Sequence, residues 1–266
     1  MKLFAIIISF GFLFLYACSN SNELENTNDT EIVNDNAVEP NELDELMNNI
    51  DAELDNMNQV QSLLYTKEDH TMVDVTAVLD KDNVIKKLTH YFQDGPSGRI
   101  TRTHFYFNKG VKFASKMVRE IQPSTGTPYY SELVTFYDDK QKATSSKERV
   151  ADYEEYLEQG TFVKAKTMEM SEAEAYKVLN QEKEFAITFQ GFVDAGPYSF
   201  LIVGENAENG YTSSLSIQTN IPLIKYLEKK GKEELGRPLV VGFERIMDEQ
   251  GYEMQILMDV QIAENN

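Results

Sequence analysis

The chain has 266 residues and a formal net charge of −19, from 44 Asp and Glu against 25 Lys and Arg. A hydrophobic content of 41% is enough to bury the core of one large or two small domains. The sequence argues against a nucleic-acid partner, because phosphate binding requires clustered positive charge and no segment supplies it. The single cysteine, Cys18, leaves no internal disulfide.

Residues 1–17 have the features of a secretory signal peptide. Lys2 provides a positive charge, residues 3–15 are almost unbroken apolar sequence, and a small residue precedes Cys18. The apolar run is shorter than the roughly 20 residues that a membrane-spanning helix needs. The four residues that end at Cys18, Leu-Tyr-Ala-Cys, resemble the lipobox of bacterial lipoproteins. The alternative is a chance cysteine in an ordinary signal peptide or in an N-terminal helix.

The resemblance to bacterial lipoproteins implies that a peptidase cuts before Cys18 and that this cysteine carries acyl chains such as palmitate. Two or more such chains would hold the protein stably in a membrane. Ser19 follows the cysteine, which by analogy with lipoprotein sorting favours the outer membrane. Residues 18–39 are acidic and poor in apolar side chains, which predicts a disordered tether, with an export signal as the alternative. Their Asn-, Asp- and Glu-rich composition resembles surface lipoproteins of Bacteroidota.

Residues 40–65 are predicted to form an amphipathic helix with Pro40 near its start. Apolar side chains recur there at intervals of three and four residues, at Leu43, Leu46, Met47, Ile50, Leu54 and Met57. The polar face is acidic, which disfavours lying on an anionic membrane. Two interpretations remain: the helix docks on the domain that follows, or it binds a partner.

Residues 66–170 are predicted to form an antiparallel β-meander domain. Three short polar turns separate aromatic-rich extended runs at intervals of 28 and 30 residues, within the segments 78–85, 106–113 and 136–143. Asp94–Gly98 adds a further loop between strands. The pattern resembles the hairpin-repeat lipoproteins of Bacteroidota.

Two helices are predicted after the hairpins. Val150, Tyr153, Tyr156 and Leu157 share one helical face, and Gly160 is a stop signal. Residues 171–182 are predicted to be a linker helix, because Ser171–Glu174 matches a capping box in which the serine caps the helix.

Two histidines, His90 and His104, lie on either side of the predicted loop near Ser97, so a hairpin would make them face each other. A metal site needs further ligands, but no cysteine is available and His70 is distant in sequence. The preferred interpretation is two ordinary strand histidines, which could still sense pH.

Residues 183–266 are predicted to form a five-stranded OB-like β-barrel with one helix. Three extended runs, a helix that ends at Gly231, and two more runs follow each other in the order of an OB-fold. The segment also resembles OB-fold lipoproteins in a bulge at Gly191 and in the sequence 236–238 before the fourth strand. The predicted fold class is therefore α+β and mainly β.

The sequence favours a non-catalytic binding or assembly module of the cell envelope, with membrane lipid as one partner and a protein, peptide or glycan as the other. Tyr198, Phe200 and Tyr211 could stack on a ligand at the second and third barrel strands. No nucleophile motif, phosphate-binding loop or metal-binding motif is recognisable, so we assign no catalytic residue, cofactor or metal. The alternative is a glycan-active envelope hydrolase that uses a pair of carboxylates.

Overall fold

The structure is a computed structural model that describes residues 37–247, 251 and 253–263. The predicted signal peptide, the lipidation site Cys18 and most of the tether lie outside the described residues. The described residues form one compact unit. It is mainly β with three α-helices in its described part, which confirms the predicted α+β class. None of these helices is both long and apolar enough to cross a membrane.

The first half of the unit contains one α-helix and nine strands in the described residues. In chain order these are α1 (Glu42–Ala52), β1 (Asn58–Gln61), β2 (Tyr65–Thr66), β3 (Met72–Leu79), β4 (Ile85–Gln93), β5 (Ile100–Asn108), β6 (Val111–Ile121), β7 (Tyr129–Tyr137), β8 (Ala143–Ala151) and β9 (Val163–Ala165). The second half contains α2 (Ala173–Asn180), β10 (Thr188–Ala195), β11 (Tyr198–Gly204), β12 (Thr212–Ser216), α3 (Pro222–Lys230), β13 (Leu239–Met247) and β14 (Glu253–Ile262).

The strands β3 to β9 form the predicted antiparallel meander, with each strand paired to the next. Two of its turns are built by the same local chemistry. Asp80 accepts hydrogen bonds from the backbone N–H groups of Asp82 (2.9 Å) and Val84 (3.0 Å). Asp138 accepts them in the same way from Lys140 (2.9 Å) and Lys142 (3.0 Å). Short-range side-chain bonds of this kind specify a turn locally, which is why the repeat was visible in the sequence.

The strands β10 to β14 have the strand order of an OB-fold, as predicted. The strands β10, β11 and β12 form a meander, β12 pairs in parallel with β14 at Ser216↔Ile256, and β14 pairs with β13. The barrel is not closed by a full ladder, because β10 meets the start of β13 only at the bridge Thr188↔Pro238 and through neighbouring backbone bonds. The predicted bulge is present, since the β10–β11 register shifts next to Gly191, which has a φ of 127°.

Both faces of the meander are covered. One face packs under α1, around Met47 and Ile50. The other face joins a larger core with α2 and the C-terminal strands. The docking interpretation of the first predicted helix is therefore confirmed.

The boundary between the two predicted domains stays a prediction, although one core runs through both and β2 pairs with β12 at Thr66↔Thr212.

Several predicted element boundaries were wrong. The first helix ends at Ala52, and Asn58–Gln61 is a strand because it pairs with β3. Val150 lies in β8, and Glu154–Gln159 is a short 3-10 helix of which only Leu157 is buried, so the apolar spacing there does not mark a buried helix face.

The start of α2 and the start of the first C-terminal strand also differ from the predictions. Ser171 does not cap α2; its Oγ accepts only from the N–H of Ala173 (3.2 Å), and Glu172 is the N-cap residue without a side-chain bond. The predicted barrel segment 183–266 begins with a short 3-10 helix, Lys183–Phe185, and its first strand starts at Thr188. These differences move element ends but leave the order of elements unchanged.

Candidate binding groove between two strand edges

The two histidines do not face each other, so the predicted arrangement was wrong. His90 pairs with Thr103 and His104 pairs with Thr89, one position out of register. Because side chains alternate along a strand, this offset places the two rings on opposite faces of the sheet. Within the described part of the chain, no group of three or more His, Cys, Asp or Glu side chains is arranged to hold a metal ion.

His104 is not suited to sensing physiological pH. Burial lowers the pKa of His104 to about 3, and the charges of Lys87 and Lys116 act in the same direction. Burial also lowers the pKa of His90. The His104 Nδ1 lies 3.0 Å from the Thr89 hydroxyl, a partner available to the neutral ring. His104 therefore stays neutral across the pH range in which an ordinary histidine titrates.

The three predicted stacking residues do not form one platform. Tyr198 is 52% exposed, and its ring centroid lies 6.5 Å from that of Phe200. Tyr211 instead lies in the core, with its ring centroid 4.7 Å from that of Phe185. The strand that contains Tyr198 therefore offers two aromatic rings to a ligand, and the third ring stabilises the interior.

A groove of about 520 Å³ lies between residues 59–61 of β1 and residues 241–245 of β13. In the described sheet β1 pairs only with β3, and β13 forms a ladder only with β14. Each strand therefore has one unpaired edge along these residues. The sequence does not reveal the groove, because residues 58–61 fall within the predicted helix 40–65 and the two walls are about 180 residues apart in the chain.

The hydrogen-bond register shows which backbone groups point into the groove. In an antiparallel pair, alternate residues bond to the neighbouring strand and the others direct N–H and C=O away from it. The N–H of Ser62 donates to Val75 on β3 (2.8 Å), so Val60 is the next bonded residue and Gln59 and Gln61 point away from β3.

The same alternation applies to the opposite wall. The N–H of Leu239 donates away from β14, to the carbonyl of Ile187 (2.9 Å). The backbone of Val241, two residues later, therefore also points away from β14. A strand bulge follows between Gly242 and Phe243. One wall thus directs the backbone groups of Gln59 and Gln61 away from its own sheet partner, and the opposite wall does so with Val241.

Side chains give the groove an apolar and mildly acidic character. Val60 is 49% exposed and Phe243 is partly buried, so both offer apolar surface. Glu244 is exposed and forms no ion pair with any of the described residues. The groove therefore suits a ligand with apolar groups and a positive charge.

Arg245 ties the β13 wall of the groove to β3, the strand that pairs with β1. Its guanidinium lies 2.7 Å from Asp74 on β3 and 2.5 Å from Glu253 on β14. Burial disfavours the charged guanidinium, but the hydrogen bonds to these carboxylates outweigh burial and raise the pKa of Arg245. Arg245 and the two carboxylates therefore form a charged bridge between the β13–β14 hairpin and β3.

The carboxyl groups with shifted pKa values do not resemble a general acid, which needs a raised pKa. Burial would raise the pKa of Asp51, but the hydrogen bond and charge of Lys87 lower it. Backbone N–H donors lower the pKa of Asp69 and of Asp80. These three groups therefore give no support to the hydrolase alternative.

No family model, curated protein or solved structure matches this chain.

Proposed function

We propose that the protein is a lipid-anchored binding module of the bacterial envelope, and that the groove between β1 and β13 holds an extended polypeptide segment. The lipobox resemblance supports the anchor at Cys18, and the acidic residues after it support a tether that keeps the folded unit away from the bilayer. The observation that carries the binding function is the pair of unpaired strand edges on one groove.

Unpaired strand edges favour a polypeptide over a glycan as the ligand. An extended peptide that adds to a sheet edge gains affinity from main-chain hydrogen bonds and specificity from pockets for alternate side chains. Gln59 and Gln61 direct main-chain groups into the groove from one side, and Val241 does so from the other. Glycan hydroxyl groups have no corresponding repeat at strand spacing.

A proline at position 61 tests this function. The N–H of Gln61 points into the groove, so Gln61→Pro removes a donor for the ligand without removing a bond to β3. Gln61→Ala is the matched control, because it removes the same side chain and keeps the N–H. The free energy of unfolding of both variants should lie within about 1 kcal/mol of the wild-type value, because Gln61 is exposed and lies at a sheet edge.

The readout is photocrosslinking in intact cells with a photoreactive residue at Val60. We expect a crosslinked polypeptide in the wild type and in Gln61→Ala, and its loss in Gln61→Pro. A photoreactive residue at Tyr156, which is 50% exposed on the Glu154–Gln159 turn, is the positional control. An adduct that persists in Gln61→Pro, or that forms equally at both positions, would contradict the proposal.

A further inference from the structure

The sheet face under α1 carries three lysines in a layer of aromatic rings. We call Lys87, Lys116 and Lys147, with the rings around them, the lysine face. Lys87 and Lys147 are buried, and Lys116 is partly exposed. Lys147 lies 4.5 Å from the centroid of the Phe162 ring, and Lys87 lies 5.2 Å from that of Tyr106. Such a face is unusual in a chain with a net charge of −19.

The charges of the lysine face are compensated by the helix that covers it. Asp44 lies 2.6 Å from Lys147. Asp51 lies 2.7 Å from Lys87 and 3.4 Å from Lys116, and it also accepts a hydrogen bond from the Tyr106 hydroxyl (3.0 Å). Among the described residues, every carboxylate paired with these three lysines belongs to α1.

The geometry of α1 defines what the face recognises. Asp44 and Asp51 are seven residues apart, which is about two helical turns, so they lie on the same side of the helix. Met47 and Ile50 are buried between them, against the apolar part of the sheet. The face therefore selects a helix with two carboxylates two turns apart and an apolar stripe between them.

α1 is a short helix that is stabilised by the sheet beneath it. It has 11 residues, below the length at which an isolated helix is stable in water. Asn41 and Asp44 cap its start, the bridge Ala37↔Val163 holds the preceding segment on β9, and the short segment 53–57 joins it to β1. The structure of α1 therefore depends on its contacts with the sheet rather than on its own stability.

We propose that the lysine face is a second binding site, for an acidic amphipathic helix of another polypeptide, and that α1 occupies this site until it is displaced. The charge complementarity between α1 and the three lysines identifies the ligand chemistry. This proposal is independent of the groove between β1 and β13, which lies on different strands.

A labelled peptide of residues 40–57 tests the proposal against the full acylated chain in detergent micelles, by fluorescence anisotropy. The chain with Asp44→Asn and Asp51→Asn has a weakened α1 and an intact face. We expect it to bind the peptide at least about tenfold more tightly than the wild type does, because the wild-type helix competes at a high effective concentration. Binding should weaken as salt is added.

Two controls isolate the ion pairs. A chain with Glu42→Gln and Glu45→Gln loses the same number of charges from the exposed side of α1 and should bind the peptide as the wild type does. A peptide with both aspartates replaced by asparagine should bind the weakened chain at least about tenfold less tightly than the original peptide. If the weakened chain does not fold, Ile50→Ala loosens α1 from its apolar side and the same two peptides are compared.

Equal binding of the two peptides, or no binding to a folded chain with a weakened α1, would overturn the proposal. A wild-type dimer that the peptide dissociates would place the α1 of a second copy on the face, and would overturn the assignment to a different polypeptide.

Discussion

Gln255 connects three parts of the chain, and its replacement tests whether the C-terminal strands and the meander are one structure. Gln255 is 8% exposed on β14. Its Oε1 accepts from the N–H of Leu64 (2.7 Å), between β1 and β2. Its Nε2 donates to the hydroxyl of Ser213 (2.9 Å) and to the carbonyl of Ser214 (3.2 Å) on β12.

The expected cost follows from the partners that Gln255→Met leaves behind. Methionine has a similar shape but cannot replace any of the three hydrogen bonds. The N–H of Leu64 loses the partner that Gln255 provides, and a buried polar group without a partner costs about 1–3 kcal/mol. Ser213 can turn its hydroxyl elsewhere, so we expect a total loss of about 3 kcal/mol in the free energy of unfolding.

Urea unfolding followed by far-UV circular dichroism measures this loss. Gln261→Met on the same strand is the matched control, because Gln261 is exposed and should cost less than about 0.5 kcal/mol. We expect a single transition that moves as a whole, since one core includes both the meander and the C-terminal strands. Equal losses for the two variants would refute this reasoning, as would a transition that splits and moves only in part.

Three further outcomes are expected. Asp51→Asn should cost about 2 kcal/mol at pH 7, because Lys87 loses its carboxylate. Since the pKa of folded Asp51 is lowered, this stabilisation is complete above the unfolded pKa of about 4 and disappears as pH falls through the folded pKa, so both melting curves should converge in acid. Gly204→Ala should cost at least about 3 kcal/mol in urea unfolding, because a Cβ would lie 2.2 Å from the carbonyl oxygen of Tyr211 at a φ of 152°. Cys18→Ala should yield a protein without acyl chains in mass spectrometry and in the aqueous phase of a detergent partition; an acylated Cys18→Ala protein would contradict the lipobox interpretation.

Local chemistry explains what could be predicted from the sequence. Asp80 and Asp138 form their turns with backbone groups two and four residues away, so the hairpins could be located without knowledge of the rest of the fold. The helical spacing around Met47 and Ile50 predicted α1 because the buried stripe of a helix repeats within a few residues. The order of strands around Gly191 and α3 likewise predicted the OB-like arrangement.

The tertiary structure alone decided the pairing and the sites. His90 and His104 lie on opposite faces because of a one-residue offset in register, which no local pattern reveals. Residues 58–61 are a strand only because β3 lies beside them, and their groove exists only because β13 comes from the far end of the chain. The lysine face is likewise not recognisable in the sequence. A buried lysine needs a carboxylate partner, and Asp44 and Asp51 reach Lys147 and Lys87 only when α1 docks on the sheet.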